Sequence, residues 1–142
     1  PIDDISGIMN FRPHGEHSLY YPREGIILAE PLGCWNKEAA MEYCTGMRNF
    51  ISQLPSVPSR WCRIIDLSQY ELHTPDVPAL LNRLARWTSD QGCVVHSYIF
   101  SNTLQIQTVD EMFESIGARY FSADDREEAL AQCQQALLEQ RR

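Results

Sequence analysis

The sequence predicts an α/β fold: a mostly parallel, mixed sheet of about five strands with four helices, and an antiparallel first strand at its edge. Three observations predict it. Short apolar runs (IILAEPL, WCRIIDL, CVVHSYIF) alternate with amphipathic segments of about ten to twenty residues whose apolar positions recur every three or four. Residues with helix-start chemistry precede the amphipathic segments (Asn36, Thr74, Asn102, Ser122), and Gly92 and Gly117 follow two of them. Finally, 142 residues with 44% in the hydrophobic set are enough for one buried core and too few for two.

Residues 1–16, PIDDISGIMNFRPHGE, have neither a helical nor a strand period and read as an arm lying on a single domain that spans 17–142. From His17, HSLYYP, a Pro22–Gly25 turn and IILAEPL form two antiparallel strands, and Gly33 is expected to end the second. Asn36 is placed to cap a helix running to about Leu54, with Ala40, Tyr43, Cys44, Met47, Phe50, Ile51 and Leu54 on its buried face. Pro55 and Pro58 break it. The run Trp61–Leu67 then suits a strand covered on both faces. Thr74 with Pro75 behind it reads as an N-cap and first helical residue. Val77, Leu80, Leu81, Leu84 and Trp87 or Thr88 form that helix's stripe, and Gly92 its stop. After the strand CVVHSYIF, a third helix lies between Asn102 and Ile116, capped either at Asn102 or by the Thr108–Glu111 box, and ended by Gly117. A short strand at Arg119–Phe121 and a last helix opened by Ser122 with Asp125 three positions later and reaching Leu138 complete the pattern.

Charge and motifs exclude several functions. Nineteen acidic against twelve basic residues give a net charge of -7, with one lysine (Lys37) among scattered arginines, so nucleic acid is not an expected partner. No run approaches the ~20 apolar residues of a membrane span, and no signal peptide opens the chain. A cytoplasmic protein without membrane insertion is expected. Pro1 fits either loss of an initiator methionine or the edge of a longer protein. Five cysteines (Cys34, Cys44, Cys62, Cys93, Cys133), none in a CxxC pair, suit reduced thiols, and with His14, His17, His73 and His96 they show no metal-ligand spacing. No metal and no cofactor is expected: GxGxxG, GxxxxGK[ST] and GxSxG are all missing.

Individual polar residues mostly have structural readings. His96 within an apolar strand reads as a satisfied core histidine, Met41, Met47 and Met112 as core fillers, and Glu127 with Glu128 as a solvated face. The turn Gly33–Asn36 reads as a left-handed stop, an apolar Cys34–Trp35 pair under the helix start, and a cap. It is also a candidate pocket. Cys34 as a nucleophile requires a stabilising histidine or helix N-terminus.

The stretch Ile64–Leu81 is the most informative, because a strand ends, a polar loop follows, and a helix starts at a hydroxyl residue where a phosphate would meet unpaired N–H groups. Here the sequence resembles the STAS domain of bacterial anti-sigma factor antagonists and sulphate-transporter tails. Ile65, Asp66, Leu67 and Ser68 match that family's strand end, and Leu72 matches its turn. His73 and Thr74 stand at its Asp and phosphoacceptor positions, with Pro75 and Asp76 where Ser/Thr and Gly are usual. The stretch MFESIGARYFSADDREEALAQC is similar to the family's C-terminal pattern. The resemblance covers about His17 to Leu138 and implies a divergent STAS-like scaffold. It implies a non-enzymatic regulatory module that binds a protein partner through Ser68, His73, Thr74, Pro75 and Asp76, with Ser68 or Thr74 as candidate phosphoacceptor. A homodimer is compatible with it. The alternative is a binder of a small-molecule or lipid-like ligand, or a small enzyme, using a pocket near Gly33–Trp35 and His73, where open α/β sheets place ligands.

Overall fold

The computed structural model describes residues 14–139. The expected arm, 1–16, lies outside the described residues as far as position 13, and Glu16 already belongs to the first strand. In chain order the elements are β1 (Glu16–Arg23), β2 (Ile26–Trp35), α1 (Lys37–Gln53), β3 (Trp61–Asp66), β4 (Tyr70–His73), α2 (Val77–Asp90), β5 (Cys93–Ile99), α3 (Thr103–Ile116), β6 (Phe121–Ala123) and α4 (Arg126–Glu139).

The sheet order is β1-β2-β3-β5-β6, with β4 paired to the far end of β2. Only β1 and β2 are antiparallel; the other pairs are parallel. Alternation along the strands divides the core into two layers. On one face Ile27, Ala29, Trp61, Ile65 and Tyr98 pack against Tyr43 and Met47 of α1, Val77 and Leu84 of α2, and Val109, Met112 and Phe113 of α3. On the other, Ile26, Leu28, Cys62, Ile64, Val95 and Ile99 meet Ala129 and Cys133 of α4. All six residues of β3 are buried, as a central parallel strand covered by helices on both sides requires.

The caps at Asn36 and Asn102 form as the sequence indicates: each side-chain oxygen accepts an N–H of the first turn, from Ala39 and Gln105 respectively, at 2.9 Å. Gly117 closes α3 with φ 67°, a left-handed conformation that glycine adopts without the Cβ clash other residues meet.

Six expectations are corrected. Gly33 does not end β2; it sits at φ 78° where the pairing register shifts, and the strand continues to Trp35 because β4 pairs with that extension. β4 itself is a sixth strand, in a stretch read as a loop. Thr74 and Pro75 do not start α2. The helix begins at Val77 with Pro78 in its first turn, and Asp76 at the cap position makes no side-chain cap bond. Met41 is 51% exposed and fills no core. β6 lies two residues beyond the expected Arg119–Phe121 start, at the positions that reach β5 in register. The last helix is opened by Asp125, whose carboxylate accepts the Glu128 N–H at 2.8 Å, and not by Ser122.

Candidate functional site

The segment from β3 through β4 to α2 is held by its backbone, with Leu67 and Tyr70 buried and most of its other side chains facing outward. Leu67 N–H donates to Ile99 O at 2.9 Å, Gly33 N–H to Gln69 O at 2.9 Å, and Thr74 N–H to Trp35 O at 3.0 Å. Gln105, reaching in from α3, fixes the middle: its amide nitrogen donates to Leu67 O (3.1 Å) and Tyr70 O (3.0 Å), and its oxygen accepts the Ser101 N–H (2.8 Å). At the end of β3, Asp66 accepts the Ser68 N–H at 3.0 Å and Arg126 Nε at 2.7 Å, while Arg126 also reaches Glu30 at 2.6 Å. Burial alone would raise the Asp66 pKa; hydrogen bonds from Ser68 and Arg126 outweigh it and hold the carboxyl below its ordinary value.

On this fixed backbone Ser68, Gln69, Glu71, Leu72, Thr74, Pro75 and Asp76 are exposed. Leu72 is 61% exposed and Leu104, at the start of α3, 59%; both line one shallow depression with Glu71 and Asn102. The Thr74 hydroxyl donates to the Asp76 carboxylate at 2.5 Å. A phosphate at Thr74 would therefore stand beside a carboxylate, and Pro78 removes one N–H from the helix start below it.

The expected pocket takes a different shape from the turn that suggested it. Trp35 and His73 are register partners across β2 and β4, and both line a cavity of ≈ 50 Å³ between the sheet and α1, α2 and α3. Cys34 points away to solvent and is not among the lining residues, whereas Trp35 is buried with its ring edge-on to Tyr43 and Tyr70 at 5.3 and 5.6 Å. His73 Nδ1 and the Tyr70 hydroxyl are hydrogen-bonded at 2.8 Å; burial pushes the His73 pKa down and the Tyr70 pKa up. Among the described residues, no group of three or more His, Cys, Asp or Glu is arranged to hold a metal ion.

Arg63, in the middle of β3, lines the same cavity at 2% exposure. Its Nε donates to His96 Nδ1 at 2.8 Å, and one terminal nitrogen reaches Tyr98 Oη at 3.5 Å. Because arginine can only donate, His96 must accept through Nδ1 and carry its proton on Nε2, which meets Ser89 Oγ at 3.0 Å. Burial, with Arg63 beside it, pushes the His96 pKa down to about 2, so the ring is neutral. His96 is the satisfied core histidine its strand suggested. Sequence reasoning places Tyr43 only on a buried helix face and misses Arg63 and Gln105, although one arginine inside the largely apolar run WCRIIDL is a visible signal that a buried charge needs a reason.

No family model matches the chain, and no curated protein matches it by sequence. Solved structures do. An uncharacterized protein of the DUF3478 family with a SpoIIAA-like fold, from Shewanella loihica PV-4, superposes with a TM-score of 0.64 at 10% identity, covering 84% of this chain and 95% of that one. An anti-sigma factor antagonist from Mycobacterium paratuberculosis gives 0.57 at 12% identity, covering 84% and 95%. The Bacillus cell fate determinant SpoIIAA in its phosphorylated form gives 0.54 at 16% identity, covering 82% and 98%. The fold is SpoIIAA-like, that is, the STAS-like scaffold the sequence resembles, and no helix among the described residues is long and apolar enough to cross a membrane.

Proposed function

We propose that the chain is a non-enzymatic regulatory module that docks a protein partner on the Ser68–Asp76 loop and the outer face of α2. The observation that carries this reading is the pair Leu72 and Leu104, more than half exposed on backbone that Gln105 and the Gly33 and Thr74 hydrogen bonds hold in place. Large apolar side chains kept in water on a preordered backbone lower the ordering cost of association and supply the apolar anchors of an interface. The outer face of α2 exposes Ala79, Arg83 and Arg86, two cations able to steer an acidic partner. The description of structural neighbours as an anti-sigma factor antagonist and as SpoIIAA in unphosphorylated and phosphorylated forms is consistent with regulation through a protein partner.

The Asp76 carboxylate and Pro78 argue that docking here does not need a phosphate on Thr74. Site-specific photo-crosslinking in the native cell tests the reading. A photoreactive residue at Glu71 is expected to trap one discrete protein. That product should vanish in a Leu72→Asp background and be missing with the probe at the exposed Gln134 of α4. Equal trapping from Gln134, or no product at Glu71 with the chain at its normal level, refutes it. Mass spectrometry showing that the trapped complex contains only chain phosphorylated at Thr74 or Ser68 refutes the phosphate-independent form.

A further inference from the structure

We infer that the cavity between the sheet and α1, α2 and α3 is a binding site for a small monocarboxylate with a compact apolar body, its carboxylate seated on Arg63 and the Tyr43 hydroxyl. This goes beyond partner docking and does not depend on it.

The first observation is an uncompensated buried cation. A guanidinium has five N–H donors. Among the described residues Arg63 makes one short bond, to the neutral His96, and one long one, to Tyr98; the three ion pairs present belong to Lys37 and Arg126. No carboxylate faces it, and the phenols and thiols around it (Tyr43, Tyr98, Cys44, Cys93) are all pushed up by burial, which keeps them uncharged at neutral pH. Such a group is costly unless something pairs with it.

The second observation is independent. Tyr43, at 3% exposure, lines the same cavity, and its hydroxyl has no hydrogen-bond partner. A donor fork and a phenol O–H on one cavity match the two oxygens of a carboxylate. The apolar part of the wall selects the body of the ligand: Trp35, Ile65, Leu81, Leu84, Val109 and Met112 line it. The ≈ 50 Å³ of space exceeds the roughly 10–15 Å³ that one water requires and is too small for a long acyl chain. His73 and Thr108, both half-buried, line the side nearer solvent, where a ligand would enter.

Titration calorimetry and Trp fluorescence on the full chain, with benzoate, phenylacetate and butyrate each set against its own primary amide and against inorganic phosphate, test the assignment. At least one of the carboxylates is expected to bind, with its amide weaker by about tenfold or more, since the amide replaces a charge-assisted bond by a neutral one. Phosphate is expected not to compete. Arg63→Met should abolish carboxylate binding, and Tyr43→Phe, which keeps the ring, should weaken it several-fold. If Arg63→Met does not fold, Tyr43→Phe and the acid–amide ratio decide. Failure of all three carboxylates, equal binding of acid and amide, displacement by phosphate, or a Tyr43→Phe variant with unchanged affinity overturns the inference.

Discussion

Acid should weaken this fold well before its carboxylates titrate, and His96 is the cause. The ring is buried against Phe113 (centroids 5.0 Å apart), with Nδ1 occupied by Arg63 Nε–H, so a second ring proton would point at a guanidinium. Its pKa falls from the usual 6.5 to about 2. A histidine with a depressed folded pKa binds fewer protons folded than unfolded; its stabilising effect is full above pH 6.5 and is lost as pH falls below that value. Between pH 7 and pH 5 the unfolded histidine passes from about a quarter protonated to nearly fully protonated while His96 stays neutral, which removes about 2 kcal/mol of stability. His17 and His73 are also lowered by burial, but both are only half-buried and add less in the same direction. Asp66 does not contribute in this window: its folded pKa lies below 3.8, so its stabilisation persists down to that pH and is lost only below it. The assay is urea unfolding followed by Trp fluorescence at pH 7, 6 and 5, for the natural chain and His96→Asn, whose Oδ1 can still accept from Arg63. The variant should be the less stable at pH 7 for want of the ring contact, and the gap should close by about 2 kcal/mol at pH 5. Parallel stability curves for the two proteins would refute the reasoning.

Three further outcomes follow from other contacts. Gly92 sits at φ 103° with a Cβ position that would strike the Ser59 carbonyl oxygen, whereas Gly117, at φ 67°, has open space around it; Gly92→Ala should cost about 3 kcal/mol or more in thermal unfolding and Gly117→Ala about 1. Gln105→Ala strips partners from Leu67 O, Tyr70 O and Ser101 N–H, and should cost about 2–4 kcal/mol while amide exchange at Tyr70–His73 rises more than in β5. Native alkylation should label the exposed Cys34 first and leave Cys62, Cys93 and Cys133 unmodified until unfolding, as mass spectrometry of iodoacetamide-treated protein would show.

The readable parts of the fold were those where one residue type has one physical use. Asn36 and Asn102 cap helices because a short side-chain oxygen reaches the first-turn N–H groups, and both were legible together with Gly117 and the central strand WCRIIDL. What could not be read locally depends on distant partners. Tyr70–His73 is a strand only because β2 runs past Gly33 to meet it, and Thr74 does not cap α2 because its N–H extends that pairing to Trp35 O, its hydroxyl donates to Asp76 and the helix starts three residues later. The residues that stiffen the candidate loop and charge the cavity, Gln105 and Arg63, announce themselves only when three helices close over the sheet. Cys34 and Trp35, read as one pair, face opposite sides of an extended strand, as successive residues must.

In the proposed function the partner docks on the Ser68–Asp76 segment around β4, and not on a sheet edge. β1 is the obvious competitor: it is an edge strand, Tyr20 on it is exposed, and an added strand would pair there. Amide hydrogen exchange of the chain, alone and saturated with the protein trapped from Glu71, separates the two. Docking on the loop predicts slowed exchange confined to Tyr70–His73 and the first turn of α2, with Glu16–Arg23 unchanged. Protection appearing along β1 while the loop exchanges as in the free chain would contradict it.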